Sequence, residues 1–199
     1  MVGVIVYVLV DCVLQLLPPH YDPIREAESN LAVGPYGWVM NLNFLGRAVT
    51  TLCAVGAIRL VGSPSRLRLA GLILLALGGA ASAALAFFAT DVDVVAGSGA
   101  ARYTLTGLIH LLIAGGGFVA ALLAVLVLTV WLRRTGVLAS TAPAGVFAGI
   151  TVMGGVWLAV TASVAPATLG LSERVCLVGI LGWTFVVCAG IRRLGALRS

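Results

Sequence analysis

The chain contains no lysine and few charged residues of either sign. Only 10% of its 199 residues are charged, whereas a soluble domain carries about 25%. Hydrophobic residues make up 61% of the chain, and the mean hydropathy is +1.13. This composition excludes an ordinary soluble domain and indicates a protein that spans a membrane.

Sequence motifs that mark common cofactors and nucleophiles are also missing. The four cysteines lie in apolar runs and form no C-x-x-C pair, which argues against a zinc ribbon or a disulfide framework. The two histidines show neither H-x-x-x-H nor H-E-x-x-H spacing, which argues against a metal site or haem. No G-x-S-x-G sequence marks a serine nucleophile. We therefore predict no metal and no cofactor.

The chain does have twelve arginines, most of which follow long apolar runs. Three clusters without acidic residues follow the second, fourth and sixth runs: Arg59, Arg66 and Arg68; Arg133 and Arg134; Arg192, Arg193 and Arg198. Six of the seven acidic residues lie in or at the edge of the other connecting segments, and Asp11 lies within the first run. This alternation is the positive-inside pattern of a multi-pass membrane protein. Because the arginines do not form a soluble basic face, nucleic acid is not an expected partner.

Six apolar segments are long enough, or nearly so, to cross a bilayer as helices. They are residues 1–17, 36–58, 69–89, 104–132, 143–165 and 173–191. We predict a single all-α domain over 1–199, a bundle of six transmembrane helices with both termini cytoplasmic, in a bacterial plasma membrane. The segment 18–35 is then an outer loop. In it, Asp22-Pro23 predicts a short helix over 23–30 that folds back as a lid.

Polar side chains recur at four-residue spacing on the first two predicted helices, so each set shares one helix face. The positions are Tyr7, Asp11 and Gln15 on the first helix and Asn43, Arg47 and Thr51 on the second. Helices joined by one loop pack as antiparallel neighbours, which predicts a buried Asp11–Arg47 ion pair. Such a pair serves a functional site, or it only holds the two helices together.

Further polar residues fall on the predicted outer side. The catalytic candidates are Asp11, Asp22, Asp91 and His110, and the substrate-binding candidates are His20, Tyr21, Arg25, Ser29, Asn43 and Arg47. We predict that at least three of Tyr21, Asp22, Arg25, Asp91 and His110 converge on one outward cavity. The alternatives are that His110 is a hydrogen-bonded packing residue and that His20 is a solvated loop residue.

The outer loop also carries a family resemblance. It reads Tyr21-Asp22-Pro23-Ile24-Arg25, then Ser29, then Val33-Gly34-Pro35-Tyr36-Gly37-Trp38, and further along come Thr90-Asp91 and Gly107-x-x-His110. This pattern resembles the bacterial membrane family called domain of unknown function 998. The resemblance covers most of the chain and implies about six spans. It also implies signature positions at Tyr21, Asp22, Pro23, Arg25, Ser29, Asp91 and His110. The family carries no activity that the resemblance could assign to these residues.

Intramembrane ionisable residues predict a functional site. The leading expectation is an enzyme that acts on a lipid, isoprenoid or other apolar substrate by Asp and His acid–base chemistry in an outward-facing cavity. The alternatives are a non-catalytic transporter or binding protein for a lipid or small molecule, and a structural subunit of a membrane complex. The expected partners are membrane lipids and an apolar small molecule.

Overall fold

A computed structural model describes residues 1–18, 20–92, 104–164 and 166–196. Within these residues the chain forms six α-helices and no strand, which confirms the all-α prediction. The helices are α1 (Val2–Gln15), α2 (Gly37–Arg59), α3 (Arg66–Leu85), α4 (Leu105–Thr135), α5 (Ala142–Val164) and α6 (Leu169–Ala196). Short 3-10 helices cover Glu28–Ala32 and Pro166–Thr168.

The helices have the length and composition of membrane spans. Four of them, α3 to α6, are long and apolar enough to cross a bilayer. Helix α1 is shorter and apolar, and α2 has 23 residues but carries Asn41, Asn43 and Arg47. Many leucine and valine side chains are exposed on the bundle surface, including Leu105 and Leu112. Lipid would cover such a surface, so the protein is a multi-pass membrane protein.

The two ends of the bundle differ in composition. We call the end that carries the segment 20–36 the loop side, and the end that carries Arg59, Arg133 and Arg193 the arginine side. On the arginine side the Arg68 guanidinium donates hydrogen bonds to the carbonyls of Val61 at 2.6 Å and Gly62 at 3.0 Å, and it lies over the Trp131 ring at 5.7 Å. These contacts fix the turn between α2 and α3 through backbone carbonyls and an aromatic face.

Small residues let some helix backbones approach closely. A Cβ atom at Gly154 would overlap the backbone of Cys176, and one at Gly179 would overlap Thr151, so α5 and α6 pack backbone to backbone. Helix α3 packs closely on α4 in the same way. Helix α1 packs mainly on α2, touches α6, and makes no contact with α4 or α5 among the described helices. The side of α1 away from α2 is therefore less covered.

The segment 20–36 folds back over the bundle, although the predicted helix over 23–30 is wrong. The Asp22 carboxylate accepts hydrogen bonds from the amides of Ile24 at 2.9 Å and Arg25 at 3.3 Å, which closes a turn instead of starting a helix. A 3-10 helix begins only at Glu28. The Leu171 amide of α6 donates to the Ile24 carbonyl at 3.0 Å, which ties the loop to α6.

Candidate functional site

A buried cluster of charged and phenolic side chains lies where the loop meets α1, α2 and α6. We call it the ionic cluster. Its members are Tyr7 and Asp11 of α1, Tyr21 and Glu28 of the loop, Arg47 of α2, and Glu173 and Arg174 of α6. Ionisable side chains inside a bundle are costly unless they are paired, so a group of this size marks this region as the candidate site.

The first half of the ionic cluster joins the loop to α1 and α2. The Tyr7 hydroxyl donates to the Glu28 carboxylate at 2.7 Å and accepts from Arg47 Nη1 at 3.1 Å. The same Arg47 nitrogen lies 4.0 Å from the Glu28 carboxylate. Arg47 Nε donates to the Ser82 hydroxyl at 2.8 Å, and Ser82 donates to the Phe44 carbonyl at 2.8 Å. Three helices and the loop thus share one hydrogen-bond network.

Glu28 is the loop residue that enters this network. It is 3% exposed, and its amide donates to the Glu173 carboxylate at 2.8 Å. Burial raises the pKa of the Glu28 carboxyl from its ordinary value of 4.5 to about 8; Arg47 opposes this shift, and the negative charges of Glu173 and Asp11 add to it. Glu28 therefore holds a proton near neutral pH, where an exposed glutamate is ionised.

The second half of the ionic cluster is centred on Arg174. Its guanidinium lies 3.8 Å from the Asp11 carboxylate and donates to the Tyr21 hydroxyl at 2.7 Å. It also donates to three backbone carbonyls, those of Pro23 at 3.1 Å, Glu26 at 3.4 Å and Gly170 at 3.2 Å. A planar guanidinium with five donors suits this bridging position, which fastens the loop to α6.

The charges of the ionic cluster do not balance. It contains three carboxyl groups, on Asp11, Glu28 and Glu173, and two guanidinium groups, on Arg47 and Arg174. With every group ionised the net charge is −1, which is unfavourable in a buried site. One bound proton makes the ionic cluster neutral, in agreement with the direction in which burial moves the pKa of Glu28.

A cavity of about 60 Å³ lies directly beneath the ionic cluster, inside the bundle. Its polar end is formed by Tyr7, Arg47 and Ser82. The rest is lined by apolar and small residues of α1, α2, α3, α4 and α6, among them Val4, Leu75, Ala114, Phe118, Leu181 and Thr184. A water needs only about 10–15 Å³ of such space, so the cavity has room for several waters or for part of a slim chain.

The predicted Asp11–Arg47 pair is wrong in its partners. Asp11 faces Arg174 and accepts a hydrogen bond from Gln15 at 2.6 Å, whereas Arg47 faces Glu28 and Tyr7. The predicted faces of α1 and α2 nevertheless pack against each other, since the side-chain amide of Asn43 donates to the Tyr7 carbonyl at 3.1 Å. The opposite charges that face Asp11 and Arg47 come from α6 and the loop, and not from the neighbouring helix.

The predicted convergence of Tyr21, Asp22, Arg25, Asp91 and His110 is also wrong. Asp22 and Arg25 lie at the exposed turn of the loop, where they face each other at 3.8 Å. Asp91 accepts from the amide and the hydroxyl of Thr104, both at 2.8 Å, and so stabilises the start of α4. Tyr21 joins Arg174 instead.

His110 occupies a separate place in the bundle. It is buried, and its Nδ1 donates to the Phe88 carbonyl at 2.6 Å, which ties α4 to the segment after α3. Its Nε2 has no partner among the described residues. Neither His110 nor Asp11 lines the cavity beneath the ionic cluster. This arrangement corresponds to the hydrogen-bonded packing residue that the sequence left as an alternative.

A second cavity, of about 290 Å³, lies under the loop and opens at the surface. Of the predicted binding residues it contains His20 and Tyr21, together with Glu26, Asn30 and Tyr36. Ser29 is buried next to Glu28. The candidate binding residues are therefore divided, with His20 at the surface and Asn43 and Arg47 inside the bundle.

Sequence reasoning missed Glu28, Glu173 and Arg174 as site residues. Glu28 fell in the outer loop, and Glu173 and Arg174 fell at the first residues of the sixth predicted span, 173–191, where charged residues are expected at the membrane interface and carry no functional signal. In the structure α6 begins earlier, at Leu169, so Glu173 and Arg174 lie one turn inside the helix. The sequence did contain a signal for this earlier start, since Gly170 and Leu171 extend the apolar run of the sixth span toward the N-terminus.

The three carboxyl groups do not form a metal site, since the described residues contain no group of three His, Cys, Asp or Glu side chains placed to hold a metal ion. The fold and the ionic cluster define a multi-pass membrane protein with a loop anchored in its bundle by buried ion pairs. A family model described as Protein of unknown function (DUF998) matches residues 1–190, so the chain belongs to that family. Comparisons with curated proteins and with solved structures gave no match.

Proposed function

We propose that the protein binds a single-chain amphiphile, such as a lipid or isoprenoid, inside the membrane. The polar group of the ligand lies against Tyr7, Arg47 and Ser82, and its chain follows the apolar part of the cavity. The observation that carries this proposal is the cavity itself, which has charged and phenolic groups at one end and mostly apolar walls elsewhere. The threonine hydroxyls in its lining, those of Thr50, Thr51 and Thr184, donate to carbonyls of their own helices. A bacterial plasma membrane with both termini cytoplasmic is the proposed setting, on the arginine distribution.

The walls of the cavity indicate how such a ligand enters. Helices α1 and α4 both line the cavity, but their backbones do not approach each other closely, which leaves an opening between them. A chain from the surrounding bilayer reaches the apolar part through this opening without crossing the loop. The small volume favours one methylene or prenyl chain over a fused ring system.

A photoactivatable long-chain alcohol with a mid-chain diazirine tests this proposal. We expect it to label α4 residues 113–121 in the wild-type protein. Ala114→Leu narrows the cavity and is expected to reduce that labelling several-fold. Gly115→Leu is the matched control, because a Cβ at Gly115 meets nothing within 4 Å. Equal labelling of the two variants would mean that the chain binds the outer surface of the bundle, and the proposal would be wrong.

A second candidate function is acid–base catalysis on such a ligand. It is favoured by the 2.7 Å hydrogen bond between Tyr7 and Glu28, since Tyr7 lines the cavity and Glu28 holds a transferable proton. Its proton donor would be Glu28 acting through Tyr7, and not His110. Incubation with a total membrane-lipid extract tests it: an enzyme forms a new lipid mass with time, and Glu28→Gln does not.

A further inference from the structure

Arg47 belongs to both the ionic cluster and the cavity. Its Nη1 faces Tyr7 and Glu28, and its Nε donates to Ser82. Its Nη2 makes no hydrogen bond to the described residues, and Arg47 lines the cavity. One guanidinium therefore lines the cavity with a nitrogen that is unused among the described residues, while its Nη1 faces a buried carboxyl group.

Glu28 depends on Arg47 more than on any other cation. Arg47 is the cation that forms an ion pair with Glu28, whereas Arg174 forms its ion pair with Asp11. Several titratable and charged groups face Glu28. They are Tyr7 and Asp11 of α1, Tyr21 of the loop, Arg47 of α2, and Glu173 and Arg174 of α6. Two of these neighbours are carboxyl groups, which disfavour a negative charge on Glu28.

We propose that the ligand of the cavity is anionic, that its head group binds Arg47 Nη2, and that its binding is coupled to the uptake of one proton by Glu28. This inference rests on the proposed binding function and names the class of ligand and its linked ion. The proton comes from water, and no covalent bond of the ligand changes. Beside Arg47, the negative charge of the bound ligand would then replace the negative charge of Glu28.

The coupling follows from electrostatics in a low-dielectric site. An anion beside Arg47 makes the ionised form of Glu28 less favourable, because two negative charges close together repel each other strongly in a low-dielectric site. Protonation of Glu28 removes that repulsion. By reciprocity, a proton on Glu28 strengthens anion binding by the same factor as the anion strengthens proton binding.

The pH dependence has a defined sign. In the free protein the pKa of Glu28 is about 8, and a bound anion raises it further. Below that pH Glu28 already holds its proton, so affinity is constant and no proton is taken up. Above it, affinity falls by about tenfold per pH unit, because each binding event must take up one proton.

Calorimetric titration with decanesulfonate tests this inference, because its head group stays ionised throughout. The full-length protein in maltoside micelles is titrated at about pH 6 and about pH 9, each in two buffers of different ionisation enthalpy. We expect uptake near zero at the acidic pH and approaching one proton at the alkaline pH. Glu28→Gln should bind with little pH dependence, and the loop control Glu26→Gln should behave as the wild type.

The outcomes separate the two proposals. Binding of decanesulfonate without proton uptake at alkaline pH overturns the coupling and leaves the cavity as a binding site. Binding of decanol but not of decanesulfonate overturns the anionic class and the coupling that depends on it, and leaves the cavity as a binding site. Binding of neither compound overturns this inference and the proposed function together. The wild-type measurement decides each case even if Glu28→Gln does not fold.

Discussion

The groups left unpaired by replacing Arg174 differ from those left unpaired by replacing Asp11. Without Arg174, the Asp11 carboxylate loses its opposite charge, and the Tyr21 hydroxyl and three loop or α6 carbonyls lose a hydrogen-bond donor. Without Asp11, Arg174 keeps all of those hydrogen bonds. The cost of breaking a buried pair is mainly the cost of the partner left unpaired, so the two ends of this pair are not equivalent.

We predict that Arg174→Met lowers the free energy of unfolding by about 3–5 kcal/mol and Asp11→Asn by about 1–3 kcal/mol. The double variant should lose less than the sum of the single losses, since the two side chains interact. Denaturant titration in micelles measures all three. Asp11→Asn combined with Arg47→Met is the control and should show a smaller coupling energy. A larger coupling energy between Asp11 and Arg47 than between Asp11 and Arg174 would support the Asp11–Arg47 pair that the helix faces predict, and would contradict the Asp11–Arg174 pair.

Glu28 predicts a pH dependence of stability. Its pKa is about 8 in the folded protein and ordinarily 4.5, so the folded state binds a proton that the unfolded state lacks. The stability from this proton is fully present below about pH 4.5 and is lost as the pH rises through 8, by at most about 1.4 kcal/mol per unit. Thermal unfolding of Glu28→Gln should show a flatter profile over this window than the wild type does. If Glu28→Gln showed the same pH dependence of unfolding as the wild type, the proton would belong to a group other than Glu28.

The loop and the start of α6 form one packed unit at the scale of elements. A Cβ at Gly170 would overlap the Glu26 carbonyl and crowd that of Pro23, so this position requires glycine for the close approach of two backbones. The Leu171 amide and the Arg174 side chain add hydrogen bonds to the same stretch of loop. Glu28 is held in the bundle by this backbone contact as well as by its own side chain.

We predict that Gly170→Ala displaces the loop from α6 while the helices remain folded. The added methyl group collides with backbone, which cannot move aside as a flexible side chain can. Hydrogen exchange of the Glu28 amide, which donates to Glu173, should accelerate about tenfold or more, corresponding to a loss of about 1.4 kcal/mol of local protection. Gly115→Ala on α4 is the matched control, since its Cβ meets nothing within 4 Å. Equal exchange in both variants would contradict this role of Gly170.

The elements differ in how far their sequence alone predicts them. The six helices were predictable because long apolar runs in a bilayer must satisfy their backbone hydrogen bonds internally. The faces that carry Asp11 and Arg47 were predictable because helical periodicity is local. Their partners were not, since Glu28 and Glu173 reach them only through the return of the loop and the packing of α6 against α1. Such contacts between distant segments leave no periodic signal in one sequence.

At the scale of the whole molecule, the charge distribution and the structure divide the bundle in the same way. The arginine side carries Arg59, Arg66, Arg133 and Arg193 at helix ends, and the loop side carries the acidic residues that the structure describes, together with Arg25 and Arg174. Both arginines of the ionic cluster lie inward of the loop and face carboxyl groups, so they do not act as topological signals. The remaining arginines predict that the arginine side faces the cytoplasm.

We predict that a membrane-impermeant maleimide labels Arg25→Cys in intact cells and labels Ser63→Cys only after permeabilisation. Both positions are exposed, Arg25 at the turn of the loop and Ser63 between α2 and α3. Arg25 forms a surface ion pair with Asp22, and such pairs contribute about 0–1 kcal/mol, so its replacement should leave the fold intact. The wild-type protein is the control for its own four cysteines, which lie in the helices. Labelling of Ser63→Cys but not of Arg25→Cys in intact cells would reverse the orientation, and the cavity beneath the ionic cluster would then belong to the cytoplasmic half of the bilayer.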